Sequence, residues 1–447
     1  MYVVIAGGGD IGALIAQSLH HEHDVVVLDP DPNVVERMAD LDVRVLSGNA
    51  TDPEVLREAG VDHADAFIAT TNSDEVNLIA SMLAKGLGAE QSLTFLGKAY
   101  YVEVLTDPRT MEILGTRIDR VFWPQRALAR EVLEVVLLPK ALDTEMLAGG
   151  RLRLVEYMVD AESRYAHRLL TDLEWPRGVA LLGVLRGGQF VTPRDEDFRD
   201  LVLEVGDHLV FVATRGAFPV LHALFAGSDR VRRVFIVGGG TVGYMIAKRL
   251  SESRIEVVLV EQDPKRCAFI SESLSGVLVI AGDGTDLKLL EQEGLEHADA
   301  LVAVTDNDEK NLLVSLLAKQ MGVEKVVTRV SRSETRSLFE RVGVDIPLTP
   351  RQAAVRAVLA YLAPEGVERL ALIEDSVEVI EVRAPRALEG KRIGDLELPP
   401  HTIVVAVIRD ERVVLADGDT RIRAGDELIL LADRDEVSRV AGIFRGA

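Results

Sequence analysis

Residues 2–31, YVVIAGGGDIGALIAQSLHHEHDVVVLDPD, decide the fold because the pattern occurs twice in the chain. The second copy, residues 234–263, reads VFIVGGGTVGYMIAKRLSESRIEVVLVEQD. Each copy is a short apolar run rich in β-branched residues, then G-x-G-x-x-G, an amphipathic stretch of helical period, a second apolar run and a closing acid. The period switch predicts strand, turn, helix, strand. The glycines are Gly7, Gly9 and Gly12 in the first copy and Gly238, Gly240 and Gly243 in the second. In order they serve a tight turn, backbone approach to a pyrophosphate, and close packing of helix on strand. The N–H groups and dipole at the helix start supply an anion site. Asp29 and Glu261 follow the first glycine of their motif by 22 and 23 residues, where a carboxylate meets ribose hydroxyls. A 2′-phosphate would face a like charge there, so NAD(H) or an adenosine nucleotide is favoured over NADP(H).

Working outward, strand and helix signals alternate along both halves, which demands parallel sheets with helices on both faces. In the first half a helix is expected at 33–39, a strand at 43–46, a helix at 53–59, a strand at 67–69 and a helix at 75–87. The second half tracks the first. Gly48-Asn49-Ala50-Thr51-Asp52 answers to Gly282-Asp283-Gly284-Thr285-Asp286, and His63-Ala64-Asp65-Ala66 to His297-Ala298-Asp299-Ala300. DEVNLIASMLAKGLG at 74–88 matches DEKNLLVSLLAKQMG at 308–322 at nine of fifteen positions, more than amphipathicity alone produces. Each large half is followed by a proline-flanked segment, 124–139 or 350–364, and then by a smaller module with a Gly-Asp turn at Gly206-Asp207 or Gly425-Asp426. The expected layout is two Rossmann-like α/β domains alternating with two small mixed α/β modules. The large lobes are placed at 1–122 and 232–348, crossover helices at 123–141 and 349–365, and small lobes at 142–226 and 366–447.

Composition narrows the function classes. With 447 residues the chain is too long for one core. Fifty basic against 72 acidic side chains give a net charge of −22, which argues against nucleic acid or an anionic membrane surface as a general partner. Cys267 is the only cysteine, so no disulfide forms within the chain and a reducing compartment fits. The N-terminus carries no signal-like segment, and no uncharged apolar run approaches the ~20 residues that span a bilayer. A soluble protein is expected, with any membrane link made through a partner.

The four-part order, the paired glycine motifs, the G-[DN]-x-T-D turns and the T-x-x-D-E-x-N segments at 71–77 and 305–311 resemble the RCK (regulator of potassium conductance, KTN) family. The likeness is to its tandem, Trk-type potassium-uptake form, and covers nearly the whole chain. It implies large lobes that bind NAD(H) or ATP/ADP as regulatory ligands, with no catalytic residues and no metal. It also implies a homotetrameric, eight-lobed ring beneath a membrane potassium-transport subunit (TrkH/KtrB-like), on the cytoplasmic face of the membrane. Carried over position by position, the pyrophosphate lies on Gly7, Gly8, Gly9, Asp10 and Ile11 and on Gly238, Gly239, Gly240, Thr241 and Val242. Asp29 and Glu261 take the ribose. Asn49 with Ala50, and Asp283 with Gly284, lie beside the adenine. Thr71 with Asn72, and Thr305 with Asp306, fall near the second ribose or the phosphates. For Thr71 and Thr305 a helix N-cap ahead of Asp-Glu is the plainer alternative.

The family has an Arg at the end of the next strand, present here as Arg329 but replaced in the first repeat by Phe95. A lost guanidinium removes a charge-assisted phosphate partner worth about 1.5–3 kcal/mol. The two sites are therefore expected to be unequal, the second binding polyphosphate more tightly, unless Arg329 merely pairs with a neighbouring acid. An NAD-dependent oxidoreductase is the competing class, since the same cradle serves hydride transfer, and a regulator of another cation transporter or antiporter also stays open. An oxidoreductase needs a proton donor near the cofactor. His63 and His297 recur, but they precede the fourth strand, at the edge opposite the ligand. The cluster His20-His21-Glu22-His23 sits on that edge too, where a solvated loop is expected rather than a metal site. Cys267 reads as packing.

Overall fold

The computed structural model describes residues 1–21, 23–38, 41–107, 118–226, 230–331, 333–362, 367–373, 377–410 and 412–444. The expected end of the second crossover segment at 363–365, residue Ala39 of an expected helix and Glu22 of the histidine cluster lie outside them, as do 108–117 of the first large lobe and 366, 374–376, 411 and 445–447 of the last small one. The chain forms two compact units, residues 1–132 with 232–361 and residues 133–231 with 362–447.

The first unit holds two six-stranded sheets. In the first, β1 (Tyr2–Ala6), β2 (Asp24–Asp29), β3 (Arg44–Ser47), β4 (Ala66–Ala69), β5 (Gln91–Phe95) and β6 (Arg120–Phe122) pair in the order β3-β2-β1-β4-β5-β6. All five pairings are parallel. This is the doubly wound order, and it reverses between β1 and β4, where a crevice opens beyond the strands' carboxyl ends. Val3, Val4, Ile5 and Ala6 are fully buried because helices cover both faces, so the strand reads as a continuous apolar run. The later copy repeats the order as β14-β13-β12-β15-β16-β17. Its strands are β12 (Arg233–Val237), β13 (Glu256–Glu261), β14 (Val277–Ala281), β15 (Ala300–Ala303), β16 (Lys325–Arg329) and β17 (Ile346–Leu348).

The G-[DN]-x-T-D segments end β3 and β14 and start the next helices. Asp52 accepts the N–H of Glu54 ahead of the helix Pro53–Glu58, and Asp286 accepts those of Lys288 and Leu289 ahead of Leu287–Gln292. Such caps are worth about 1 kcal/mol each. Helices Pro124–Val136 and Pro350–Tyr361 follow the sixth strand of each sheet, with proline at the first position where no N–H is needed. Within this unit the helix Asp10–Leu19 packs on Pro350–Tyr361, which joins the two large lobes.

The second unit holds strands β7 (Ala141–Leu147), β8 (Leu152–Met158), β9 (Val179–Arg186), β10 (Gln189–Val191) and β11 (His208–Thr214), and β18 (Val367–Ile373), β19 (Val377–Arg383), β20 (Ile403–Arg409), β21 (Arg412–Leu415) and β22 (Glu427–Asp433). They form two antiparallel five-stranded sheets of matching order, β7-β8-β11-β9-β10 and β18-β19-β22-β20-β21. The recurring Gly-Asp turn explains itself here. Asp207, 2% exposed, takes two bonds from the Arg186 guanidinium, 2.7 and 2.6 Å, and the N–H of Glu204. Asp426, 3% exposed, repeats this with Arg409, 2.8 and 2.6 Å, and the N–H of Arg423. Gly206 and Gly425 hold φ of +98° and +84°, a conformation that glycine adopts without strain. Leu154, Val210 and Val212 of one sheet share a core with Val379, Ile429 and Leu431 of the other.

Candidate nucleotide site

The two glycine turns are built alike. Gly7 and Gly238 hold φ of +104° and +106°, and a Cβ on either would lie 2.8–2.9 Å from the backbone N of Thr71 or Thr305. A Cβ on Gly12 or Gly243 would be driven into the carbonyl oxygen of Gly7 or Gly238. Both positions are dictated by the chain's own packing. Gly9 and Gly240 differ. Their φ values, −68° and −60°, suit any residue, and nothing of the protein lies within 4 Å of where a Cβ would stand. They precede helices Asp10–Leu19 and Thr241–Ser251, and neither helix start receives a side-chain cap. Glycine here keeps clear a space at a positive helix end, the form of a phosphate cradle.

The acids closing the second strands are tied to the same turns. Asp29 accepts the N–H of Gly8 at 2.7 Å and of Asp31 at 2.8 Å. Glu261 accepts those of Gly239 at 2.6 Å and of Asp263 at 2.9 Å. Each carboxylate oxygen keeps a further lone pair for a ligand hydroxyl. Asn49 holds its own turn by accepting the Thr51 N–H at 3.0 Å and hydroxyl at 2.9 Å, and Asp283 does the same with Thr285 at 3.0 and 2.8 Å. The second oxygen of Asp283 takes Lys310 Nζ at 3.0 Å. The Thr285 N–H, then Lys310, pull its carboxyl down to about 2, so it stays ionised at any physiological pH. Ala50 is buried, and Gly284 sits against Val237, whose Cγ1 a side chain at Gly284 would strike.

The corner after the fourth strand is a side-chain clasp. Thr71 donates its N–H and hydroxyl to Asn77 Oδ1 at 2.8 and 2.6 Å, and Asn77 Nδ2 returns bonds to Thr71 O and Phe95 O, both 3.0 Å. Thr305 and Asn311 repeat the clasp at 3.0 and 2.6 Å, with Nδ2 reaching Thr305 O and Arg329 O. Neither threonine caps the helix that follows. Ser73 Oγ caps Asp74–Leu87 through Val76 N–H, and Asn307 Oδ1 caps Asp308–Gln320 through Lys310 N–H. The threonines are spent instead on aiming the corner at the crevice.

A cavity of about 800 Å³ opens at this edge of the first unit. The second repeat lines it with Gly238, Gly240, Thr241, Val242, Glu261, Asp283, Gly284, Thr305, Asp306 and Arg329, and the first repeat with Ile11, Thr71 and Asn72. Gly7, Gly8, Gly9, Asp10, Gly12, Asp29, Asn49 and Ala50, with Gly239 and Gly243, lie off its wall. Arg329 donates to Thr305 O at 2.6 Å and to Asp306 Oδ1 at 2.7 Å. Asp306 is fully exposed, so that ion pair is screened and weak.

Several wall residues carry no sequence signal that singles them out: Lys310, Gln262, Gln125 and Arg351. Arg351 pairs with Asp10 of the other repeat at 2.6 Å, a contact that only the packing of the two lobes creates. Asp74 and Asp308 sit inside quoted motifs, but their work appears only in three dimensions. Asp74 accepts the N–H groups of Gly97 and Lys98 at 2.9 and 2.8 Å, and Asp308 that of Ser331 at 3.0 Å.

The remaining polar candidates stand apart. His63 stacks on Tyr2 at 4.9 Å, at the amino end of β1, and pairs with the adjacent Asp62. His297 pairs with the adjacent Glu296. Cys267 is buried and its thiol donates to Glu261 O at 3.3 Å. Among the described residues no three His, Cys, Asp or Glu side chains gather as a metal requires, and no helix is long and apolar enough to cross a membrane.

The TrkA-N domain profile matches residues 3–117 and 234–350, and the TrkA-C domain profile matches 154–226 and 377–445. The chain is 36% identical over 445 residues to a Trk system potassium uptake protein TrkA homolog of Archaeoglobus fulgidus, covering 100% of both. It is 35% identical over 457 residues to TrkA homolog 2 of Methanosarcina mazei, again covering 100% of both. The TrkA of Halomonas elongata is 30% identical over 462 residues, 100% of this chain and 99% of that one. Among solved structures, the GsuK RCK domain superposes with a TM-score of 0.61 at 20% identity, over 99% of this chain and 94% of that one. The GsuK channel bound to NAD gives 0.61 at 20% identity, over 99% and 78%. At that identity the likeness speaks for the fold, and it is an RCK fold. The doubled Rossmann-type lobes, the tandem domain matches and the full-length relatives together place the chain in the TrkA family.

Proposed function

We propose that this chain is a nucleotide-sensing regulatory subunit of a membrane potassium-uptake system. NAD(H), ATP or ADP bind at the glycine turns, and the bound state sets the activity of a TrkH/KtrB-like membrane subunit through a ring of RCK lobes. In this reading the lobes are those set out from the sequence, large at 1–122 and 232–348 and small at 142–226 and 366–447, joined by helices within 123–141 and 349–365. Four chains make the eight-lobed ring, held on the cytoplasmic face through the partner.

The observation that carries the ligand is the pair Gly9 and Gly240. Neither conformation nor packing requires glycine at either place, whereas a pyrophosphate over the helix start does. The ligand would supply phosphates for the helix N–H groups and ribose hydroxyls for Asp29 and Glu261. The chain's part is to bind and orient it. A nucleotide that prefers one lobe arrangement shifts the equilibrium by its difference in affinity, typically about 1–3 kcal/mol per coupled site. A regulatory reading over an oxidoreductase is supported by the family and by the placing of His63 and His297 away from the cavity wall. Potassium uptake in cells lacking their own Trk regulator tests it, with this chain co-expressed with its membrane subunit. Uptake is expected to respond to the chain and to lose that response in the Gly9→Ala/Gly240→Ala double variant. Uptake indifferent to the chain, or NADH oxidation with a keto acid, would overturn it.

A further inference from the structure

The two clefts share a framework but not a wall. Three positions are matched across the repeats, two by the bonds around them and one by its place in the chain, and at all three the second repeat carries a cation where the first carries an apolar side chain. Arg266, two residues after Pro264, lies over the glycine turn and donates to Gly239 O at 2.6 Å, whereas Val34, two residues after Pro32, is fully buried against Gly8, much as Ile270 is against Gly239. Lys310 gives its N–H to the capping Asn307, as Val76 does to Ser73. Arg329 gives its carbonyl to Asn311, as Phe95 does to Asn77. At the helix start the first repeat adds an acid, Asp10, where the second has the neutral Thr241.

The acids of the second cleft do not cancel this difference. Asp306 is fully exposed and Asp283 about half exposed, so Arg329 and Lys310 hold partners that water already screens. Exchange of such a partner for a phosphate costs little and gains charge-assisted bonds. Arg266 donates to Gly239 O and Gly240 O and lies over the rings of Tyr244 and Phe269, at 5.4 and 4.8 Å, contacts that leave its charge without an acid. In the first repeat the places of Lys310 and Arg329 are taken by Val76 and Phe95, and the Asp10 carboxylate is already paired with Arg351 at 2.6 Å. The backbone N–H groups at the helix start suit the bridging pyrophosphate of a dinucleotide better than a terminal phosphate.

We infer that the clefts divide the ligands: the second takes an adenosine polyphosphate, with Lys310 and Arg266 joining Arg329 as its specificity-determining residues, and the first takes an NAD(H)-type dinucleotide. This rests on the nucleotide-sensing reading above. The full chain, titrated calorimetrically with ATP, should bind one tight equivalent per chain. Saturating NADH should leave that equivalent in place. Lys310→Val and Arg266→Val should each weaken ATP at least tenfold and lower the ratio of ATP to NADH affinity by a similar factor, with thermal melting checked to confirm folding. Val76→Lys, which gives the first cleft one of the missing cations, should strengthen a second, weak class of ATP sites. Two equal ATP equivalents per chain, complete displacement of ATP by NADH, or unchanged ATP affinity in both Val variants would overturn the division while leaving nucleotide sensing intact. A chain that binds neither ligand overturns both.

Discussion

The duplication has been kept differently in the two units. In the antiparallel unit the repeats agree down to single bonds: Arg186 on Asp207 and Arg409 on Asp426, each bidentate, each acid also holding a backbone N–H three residues earlier. In the parallel-sheet unit the buried framework agrees just as closely, through the glycine turns and the Thr–Asn clasps. The cations do not: Lys310 and Arg329 line the cavity of the second repeat, and Val76 and Phe95 hold their places in the first. The framework is repeated, and the cations Lys310 and Arg329 are not.

The largest effect that sharpens this contrast belongs to the small lobes. Asp426→Ala removes a nearly buried carboxylate and leaves a guanidinium, Arg409, that is 28% exposed, so it is expected to cost about 3 kcal/mol, the low end for breaking a buried pair, with Asp207→Ala similar, read as a lower urea midpoint of the full chain. Unequal losses would break the claim that the repeats are equivalent there. Acid should expose the same bond. Burial pushes the Asp426 carboxyl up, and Arg409 with the Arg423 N–H more than reverses this, leaving it below the ordinary carboxylate range. A depressed folded value means stability that is complete above about pH 3.9 and is lost as pH falls through the folded value. The melting-temperature gap between the wild type and Asp426→Asn should therefore be constant from neutral pH to about pH 5 and close only in stronger acid.

Next come the glycines, which separate packing from ligand space. Gly243→Ala drives a Cβ into the Gly238 carbonyl and is expected to cost about 2–3 kcal/mol in the large-lobe unit. Gly240→Ala meets nothing, so melting should move little while nucleotide affinity falls tenfold or more. The reverse pattern would dissolve the distinction between the two kinds of glycine. The smallest effect is at Arg351. Its pair with Asp10 is partly exposed, so Arg351→Ala should cost less than about 1 kcal/mol by the same denaturation assay.

Much of the fold was legible because the signals are local and doubled: β-branched runs, glycines at fixed spacing, an acid at the second strand's end. The small lobes' Gly-Asp turns were visible as a pattern, but their reason, a guanidinium arriving from a neighbouring strand, was not. The crevice was read half well. Arg329 and Phe95 stood out because a resemblance named that position, while Lys310 looked like any helix-surface lysine until its Nζ was found on Asp283. Arg266 was likewise hidden in a surface helix, and Arg351 belongs to a segment read only as a crossover helix. Thr71 and Thr305 show why a cap is hard to place from sequence: several cap-forming residues stand in a row, and geometry chooses Ser73 and Asn307.

The central claim is that both glycine turns hold nucleotide. Its most direct test is equilibrium dialysis of the full chain against ATP and NADH, wild type beside the Gly9→Ala/Gly240→Ala double variant, with melting curves of both. The account predicts binding of each ligand to the wild type and loss of both, at an unchanged melting temperature, in the double variant. Equal binding by the two proteins, or none by the wild type, would contradict it.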